Sequence, residues 1–276
     1  MTLPAGFGAN LARRVVTALV ALPLLVVALF VGPPWVGVAV VVVAALLGLF
    51  EFFRLARARR LEPMRLTGLV LAAAIFLDVL FPGRPGPPLW PLAAVLLLGV
   101  TLLPGRELVD SVPSAAVTLL GAVYVGALGG CIAALRVLEP RGDGAWRVVL
   151  LLTIIMVADT CAFFAGHALG RHRLAPALSP GKTVEGAIGG LCGGVLGAFA
   201  VRALGLSWLP PLHTLILGVL VAALGIVGDL DESLLKRWAG VKDSGSLFPG
   251  HGGMLDRLDS LLFGAPILYY YFSYFR

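Results

Sequence analysis

Between positions 229 and 259 the chain gathers Asp229, Asp231, Glu232, Asp243, Asp256 and Asp259, interleaved with Lys236, Arg237, Lys242 and Arg257. Six of its 15 acidic residues fall in this segment, although long apolar runs flank it on both sides. Ionisable groups set against that much hydrocarbon face a partner or a hydrated cavity. Asp256 and Asp259 stand at i, i+3, so on a helix both carboxylates point at one place. Paired hard-oxygen ligands of this kind suit Mg2+, whereas zinc draws on Cys and His. Asp229, Ser233, Lys236 and Arg237 stand at i, i+4, i+7 and i+8, on one helical face. The bland alternative is a solvated helix end in which Asp229–Ser233 and Glu232–Lys236 are ordinary pairs. The long apolar stretch directly before Asp229 argues against it. Between the two halves, "FPGHGG" is a turn by composition, and its glycines let backbone amides approach an anion closely.

Lysine usage points the same way. The chain has 18 arginines but only three lysines, Lys182, Lys236 and Lys242. Lysine is a compact point charge that reaches a single phosphate oxygen, where arginine offers a flat fork. Lys182 belongs to a second polar segment, "RHRLAPALSPGKTVEGAIGG". Its "GKT" is not a nucleotide-binding loop of the G-x-x-x-x-G-K-[ST] type, because the first glycine falls on Pro176. What remains is a polar turn in which Ser179, Lys182, Thr183 and Glu185 open a helix, and amides at a helix N-terminus plus a lysine cradle a phosphate. Asp159 lies deep in the preceding apolar run and must pair, bind a cation or line a hydrated cleft.

The elements that position these groups are membrane helices. Of 276 residues, 59% are hydrophobic and 13% charged, with a mean hydropathy of +0.98. A soluble domain carries roughly twice that charged fraction. The expected fold class is an all-α polytopic membrane protein with about nine transmembrane helices, near 15–31, 35–53, 66–82, 88–104, 112–137, 147–169, 186–205, 212–235 and 255–275. Residues 1–140 then form an N-terminal scaffold or dimer region, and 141–276 a catalytic region around a polar cleft. With the N-terminus cytoplasmic, 15 basic residues lie on the inner side and six on the outer (Arg84, Arg136, Arg141, Arg147, Arg202 and Arg276). The positive-inside rule favours that orientation, with the 139–147 loop its weakest point. The net charge of +6 reflects such basic loops beside anionic headgroups, with no nucleic acid implied. Cys131, Cys161 and Cys192 sit in apolar runs without a CxxC pair and read as buried side chains.

"SLLKRWAGVKDSGSLFPGHGGMLDRLD", residues 233–259, resembles the signature of the phosphatidate cytidylyltransferases, or CDP-diacylglycerol synthases. That signature reads Ser-x-x-Lys-Arg, four residues, Lys-Asp, a Gly-rich turn with His-Gly-Gly, then Asp-Arg-x-Asp. Ser233, Lys236, Arg237, Lys242, Asp243, His251, Gly252, Gly253, Asp256, Arg257 and Asp259 match it. "GDL" at 228–230 and "LSPGKTVEG" at 178–186 also fit, Asp159 takes the family's Asp-Thr/Ser position, and Glu51 in "FEFFRLAR" takes an equivalent acidic one. The family's Gly-Arg-x-x-Gly-Lys appears here with His167 for arginine and Arg171 for lysine.

The resemblance implies conversion of CTP and phosphatidate to CDP-diacylglycerol and pyrophosphate with Mg2+, and with a potassium ion in the metal centre. It further implies a homodimeric, multi-pass protein of the cell inner (plasma) membrane whose cleft faces the cytoplasm. On this reading Lys236, Arg237, Lys242, Asp256 and Asp259 are catalytic, and Asp229, Asp256 and Asp159 hold metal. Ser179, Lys182, Thr183, Arg171, Ser233, His251 and Arg257 bind substrate. A CTP-dependent lipid kinase is the nearer alternative and a transporter the more distant one.

Overall fold

The computed structural model describes residues 27–102, 108–138, 142–245, 247 and 252–275. Helices dominate them: α1 (Pro34–Ala58), α2 (Arg65–Leu80), α3 (Trp90–Val100), α4 (Leu108–Gly121), a π-helical turn (Ala122–Ala127), α5 (Leu128–Val137), α6 (Gly144–Leu169), α7 (Val184–Gly205), α8 (Pro211–Ala239) and α9 (Leu255–Tyr274). Eight of the nine expected spans coincide with helical segments; the first, 15–31, lies largely outside the described residues. Among the described residues, five segments are long and apolar enough to cross a bilayer: α1, the continuous α4–π–α5 run from Val109 to Val137, α6, α7 and α8. At 1.5 Å per residue the 11-residue α3 reaches only about 16 Å, roughly half a hydrocarbon core.

Among the described residues the bundle departs from all-α between α6 and α7. Residues expected to form a polar turn instead make an antiparallel hairpin between α6 and α7, β1 (Arg173–Ala175) with β2 (Ser179–Thr183). The strand ends where the Thr183 hydroxyl accepts a hydrogen bond from the Gly186 amide (3.0 Å) and caps α7.

Small residues set the helix spacing in the second half. α6 and α7 make the most extensive contact in the bundle. At Gly193 an added Cβ would lie 2.7 Å from the Cys161 sulfur, and at Gly197 it would lie 3.0 Å from the Thr153 carbonyl. Where lipid removes a hydrophobic incentive to associate, such close backbone approach supplies the packing. The tightest consequence for function is at Gly228 on α8, where a Cβ would lie 2.5 Å from the Asp259 carbonyl of α9. The missing side chain brings the two acid-bearing helices together. α8 then stops at Gly240 (φ 75°), whose amide and that of Val241 bond back to the Arg237 and Lys236 carbonyls.

At the opposite end of the bundle, Arg147 is buried. It pairs with Asp143 (2.5 Å), donates to the Leu138 carbonyl (2.8 Å) and lies over the Phe272 ring. Arg136 donates to the Leu29 carbonyl (2.9 Å) and Arg84 pairs with Asp78 (2.9 Å). Three of the arginines counted against the expected orientation are therefore held by acceptors within the protein.

Candidate active site

α8 and α9 bring the carboxylates together. One oxygen each of Asp229, Glu232 and Asp259 lies within 4.8 Å of the others. They line a 290 Å³ cavity with Asp159, Lys236, Asp243, Asp256, Arg257 and Ser260. Asp229 and Glu232 share a face because they are three residues apart on α8; Asp259 joins them because Gly228 lets α9 close in. Glu232 is fully enclosed, and the Lys236 ammonium of the same helix contacts its carboxylate. Three converging carboxylates, one of them fully enclosed, fit a hard divalent cation such as Mg2+.

Lys236 stands between two acids. Its ammonium contacts Glu232 on its own helix and lies 2.7 Å from Asp256 Oδ1 on α9. The other Asp256 oxygen accepts from the Gly253 amide (2.7 Å), the Ser244 amide (3.1 Å) and the Ser244 hydroxyl (2.8 Å). Asp256 is thus a hub joining α8, Ser244, Gly253 and α9. It lines the same cavity as Asp229, but both of its oxygens are already engaged.

The first half of the chain supplies the brace. Glu51, near the end of α1, accepts from the amides of Met254 (3.0 Å) and Leu255 (2.7 Å) and from the Ser244 hydroxyl (3.1 Å). These are orphan donors at the start of α9, which has no side-chain cap of its own. A carboxylate at a helix N-terminus is also favoured by the helix dipole.

A second cavity, of 570 Å³, opens beside the first, and Asp159 and Asp229 line both. Its walls include Phe163, His167, Arg173, Lys182 and Thr183. Lys182 pairs with Asp229 across 2.5 Å, so the lysine bridges the hairpin to the carboxylate cluster. His167 stacks parallel to Phe163, with ring centroids 6.1 Å apart. The arrangement is bipartite: a larger chamber with two cations and an aromatic face, a smaller acidic one, and two aspartates between them. It can hold two phosphate-bearing groups on either side of a cation site.

Of the expected residues, Asp159, Asp229, Lys236, Asp256, Arg257 and Asp259 share the acidic cavity, and Lys182 and Thr183 the larger one. Ser179, Ser233, Arg171, Arg237 and Lys242 line neither. Arg171 donates its backbone amide to Glu185 (3.1 Å), and Arg237 reaches the Leu178 carbonyl (3.4 Å), tying α8 to the hairpin. Lys242 is exposed on the turn after α8. His251 lies outside the described residues. Sequence reasoning passed over Glu232, Ser244 and Arg173. Glu232 had a signal, since it stands at i+3 from Asp229 just as Asp259 does from Asp256; its i+4 spacing to Lys236 made it read as an ordinary pair.

The comparisons with known proteins bear on the same residues. The sequence model of the cytidylyltransferase family matches residues 12–275. A phosphatidate cytidylyltransferase of Synechocystis sp. is 33% identical across 94% of this chain and 95% of its own. One from Staphylococcus haemolyticus is 33% identical across 92% and 96%. A match covering both halves includes Glu51 as well as the acids of α8 and α9, and on that breadth the chain belongs to the cytidylyltransferase family.

Proposed function

We propose that this protein is a phosphatidate cytidylyltransferase, joining CTP and phosphatidate into CDP-diacylglycerol and releasing pyrophosphate. A phosphate oxygen of phosphatidate attacks the α-phosphorus of CTP; that P–O bond forms as the bond from the α-phosphorus to the pyrophosphate oxygen breaks. The lipid brings its own nucleophile, so the protein needs none. The main barrier is repulsion between two anions in a partly dry cleft, and catalysis is positioning plus charge neutralisation. The observation that carries the reading is the pair of chambers meeting at Asp159 and Asp229, cations on one side and converging carboxylates on the other.

The residues divide the work accordingly. Asp229, Glu232 and Asp259 would hold Mg2+, with Asp159 and Asp256 at the margin of the same cavity, and the bound ion would neutralise charge on the triphosphate. Lys182 and Arg173 neutralise phosphate in the larger chamber, and Lys236 and Arg257 in the smaller. Lys236 leaves Asp256 for phosphate as substrate arrives, which frees an Asp256 oxygen. Arg171, Arg237 and Lys242 act at the rim, with Arg237 holding the hairpin in place. The protein spans the membrane with its N-terminus and cleft on the cytoplasmic side of the plasma membrane and works as a homodimer.

The test is purified protein with CTP labelled on the α-phosphate, phosphatidate and Mg2+. Lipid-soluble label with equimolar pyrophosphate is the expected result. Release of CDP instead would make the protein a lipid kinase and overturn the assignment.

A further inference from the structure

The link between α1 and α2 plays no part in the site just described. In and beside it stand Arg54, Arg57, Arg59, Arg60 and Arg65, within twelve positions. Arg57, Arg60 and Arg65 line a 550 Å³ cavity with Leu61, Glu62 and Pro63, three guanidinium groups against one carboxylate. It shares no lining residue with either chamber. Arg60 has φ 62°, a left-handed backbone uncommon for a residue other than glycine. Beside it, the Arg59 Nε donates to the Trp238 carbonyl in the last turn of α8. The cavity therefore sits at the same end of the bundle as the catalytic carboxylates.

Its depth identifies the ligand. α1 is apolar from Pro34 to Phe50 and ends at this link, beyond which α2 begins. Immediately beyond Arg65, Leu66 is 75% exposed and Val70 is 41% exposed on the outer surface of α2, in a position to meet acyl chains. Guanidinium groups at the point where apolar helices leave the bilayer meet lipid headgroup phosphates, which they bind as charged forks. Glu62 leaves the cavity with a modest excess of positive charge, matched to a phosphodiester rather than to a polyphosphate.

We propose that this cavity is an accessory site for the headgroup phosphate of an anionic phospholipid, whose acyl chains lie along Leu66 and Val70. Because Arg59 fastens the link to α8, a lipid bound there steadies the helix that carries Asp229, Glu232 and Lys236.

The experiment uses the full chain in neutral detergent. The probes are dioctanoyl phosphatidylglycerol, dioctanoyl phosphatidylcholine and inorganic phosphate, with binding read as thermal stabilisation. Phosphatidylglycerol should raise the Tm of the wild type and phosphatidylcholine should not. In the triple variant Arg57→Gln, Arg60→Gln, Arg65→Gln, apparent affinity should fall about a hundredfold, each arginine contributing roughly fivefold. CDP-diacylglycerol synthesis at saturating substrate should persist, which checks the fold and separates this site from the catalytic one. The corresponding triple lysine variant should retain most of the stabilisation. Equal stabilisation of wild type and glutamine variant would overturn the proposal, as would no stabilisation of the wild type. An equal effect of inorganic phosphate would assign the cavity to a free anion and defeat the lipid assignment.

Discussion

Glu51 reaches across the bundle to the start of α9, its carboxylate accepting from the Leu255 amide at 2.7 Å and the Met254 amide at 3.0 Å. A residue of the first described helix thereby fixes the entry of the last one, a single residue before Asp256. Glu51→Ala should leave these amides unsatisfied, which costs about 1 kcal/mol as for other lost caps. Turnover should fall by about 10–100-fold, the usual effect of removing a group that orients a ligand. Thermal unfolding and initial rates measured on one preparation check both effects. Unchanged turnover would show that the brace has no bearing on catalysis.

Lys236 stands between Glu232 and Asp256 with its side chain 16% exposed, while that of Glu232 is 1% exposed. Removing only the cation strands a buried carboxylate, which costs about 3–5 kcal/mol. Lys236→Met should therefore be strongly destabilised. The double variant Glu232→Gln, Lys236→Met should recover most of that loss yet remain inactive, because both the phosphate-facing cation and a candidate metal ligand are gone. Chemical denaturation of the two variants separates these outcomes.

Gly228 tests the helix spacing itself. Its absent side chain admits the Asp259 carbonyl, which a Cβ would crowd at 2.5 Å. Gly228→Ala should cost about 1–3 kcal/mol through overpacking. If it moves α9 by about 1 Å, turnover should fall by roughly a hundredfold. The expected signature is a folded protein with a small drop in Tm and a large drop in kcat. Wild-type kcat would mean that the carboxylates need not converge so closely.

Much of this arrangement was legible in the sequence, and the exceptions have physical causes. The i, i+3 spacing of Asp256 and Asp259 and the facial alignment of Asp229 with Lys236 are local helical geometry, and the structure keeps both on cavity-facing surfaces. The hairpin at 173–183 was not legible: three- and five-residue strands containing Pro180 and Gly181 carry no alternating pattern. The contact of Glu51 with the start of α9 joins residues 203 and 204 positions apart, beyond the reach of any spacing argument. Only the resemblance marked Glu51, and it gave no reason for the acid. The burial of Arg147, which Asp143 neutralises from four residues away, was not legible either, because local sequence does not disclose burial.

The central claim is that the acids of α8 and α9 hold a divalent ion between the two substrates. Electron paramagnetic resonance of Mn2+ bound to detergent-solubilised wild type and to the double variant Asp229→Asn, Asp259→Asn tests it most directly. A tightly bound ion in the wild type that is lost from a folded variant, together with its pyrophosphate release, is the predicted result. Undiminished Mn2+ binding by the variant would contradict the account.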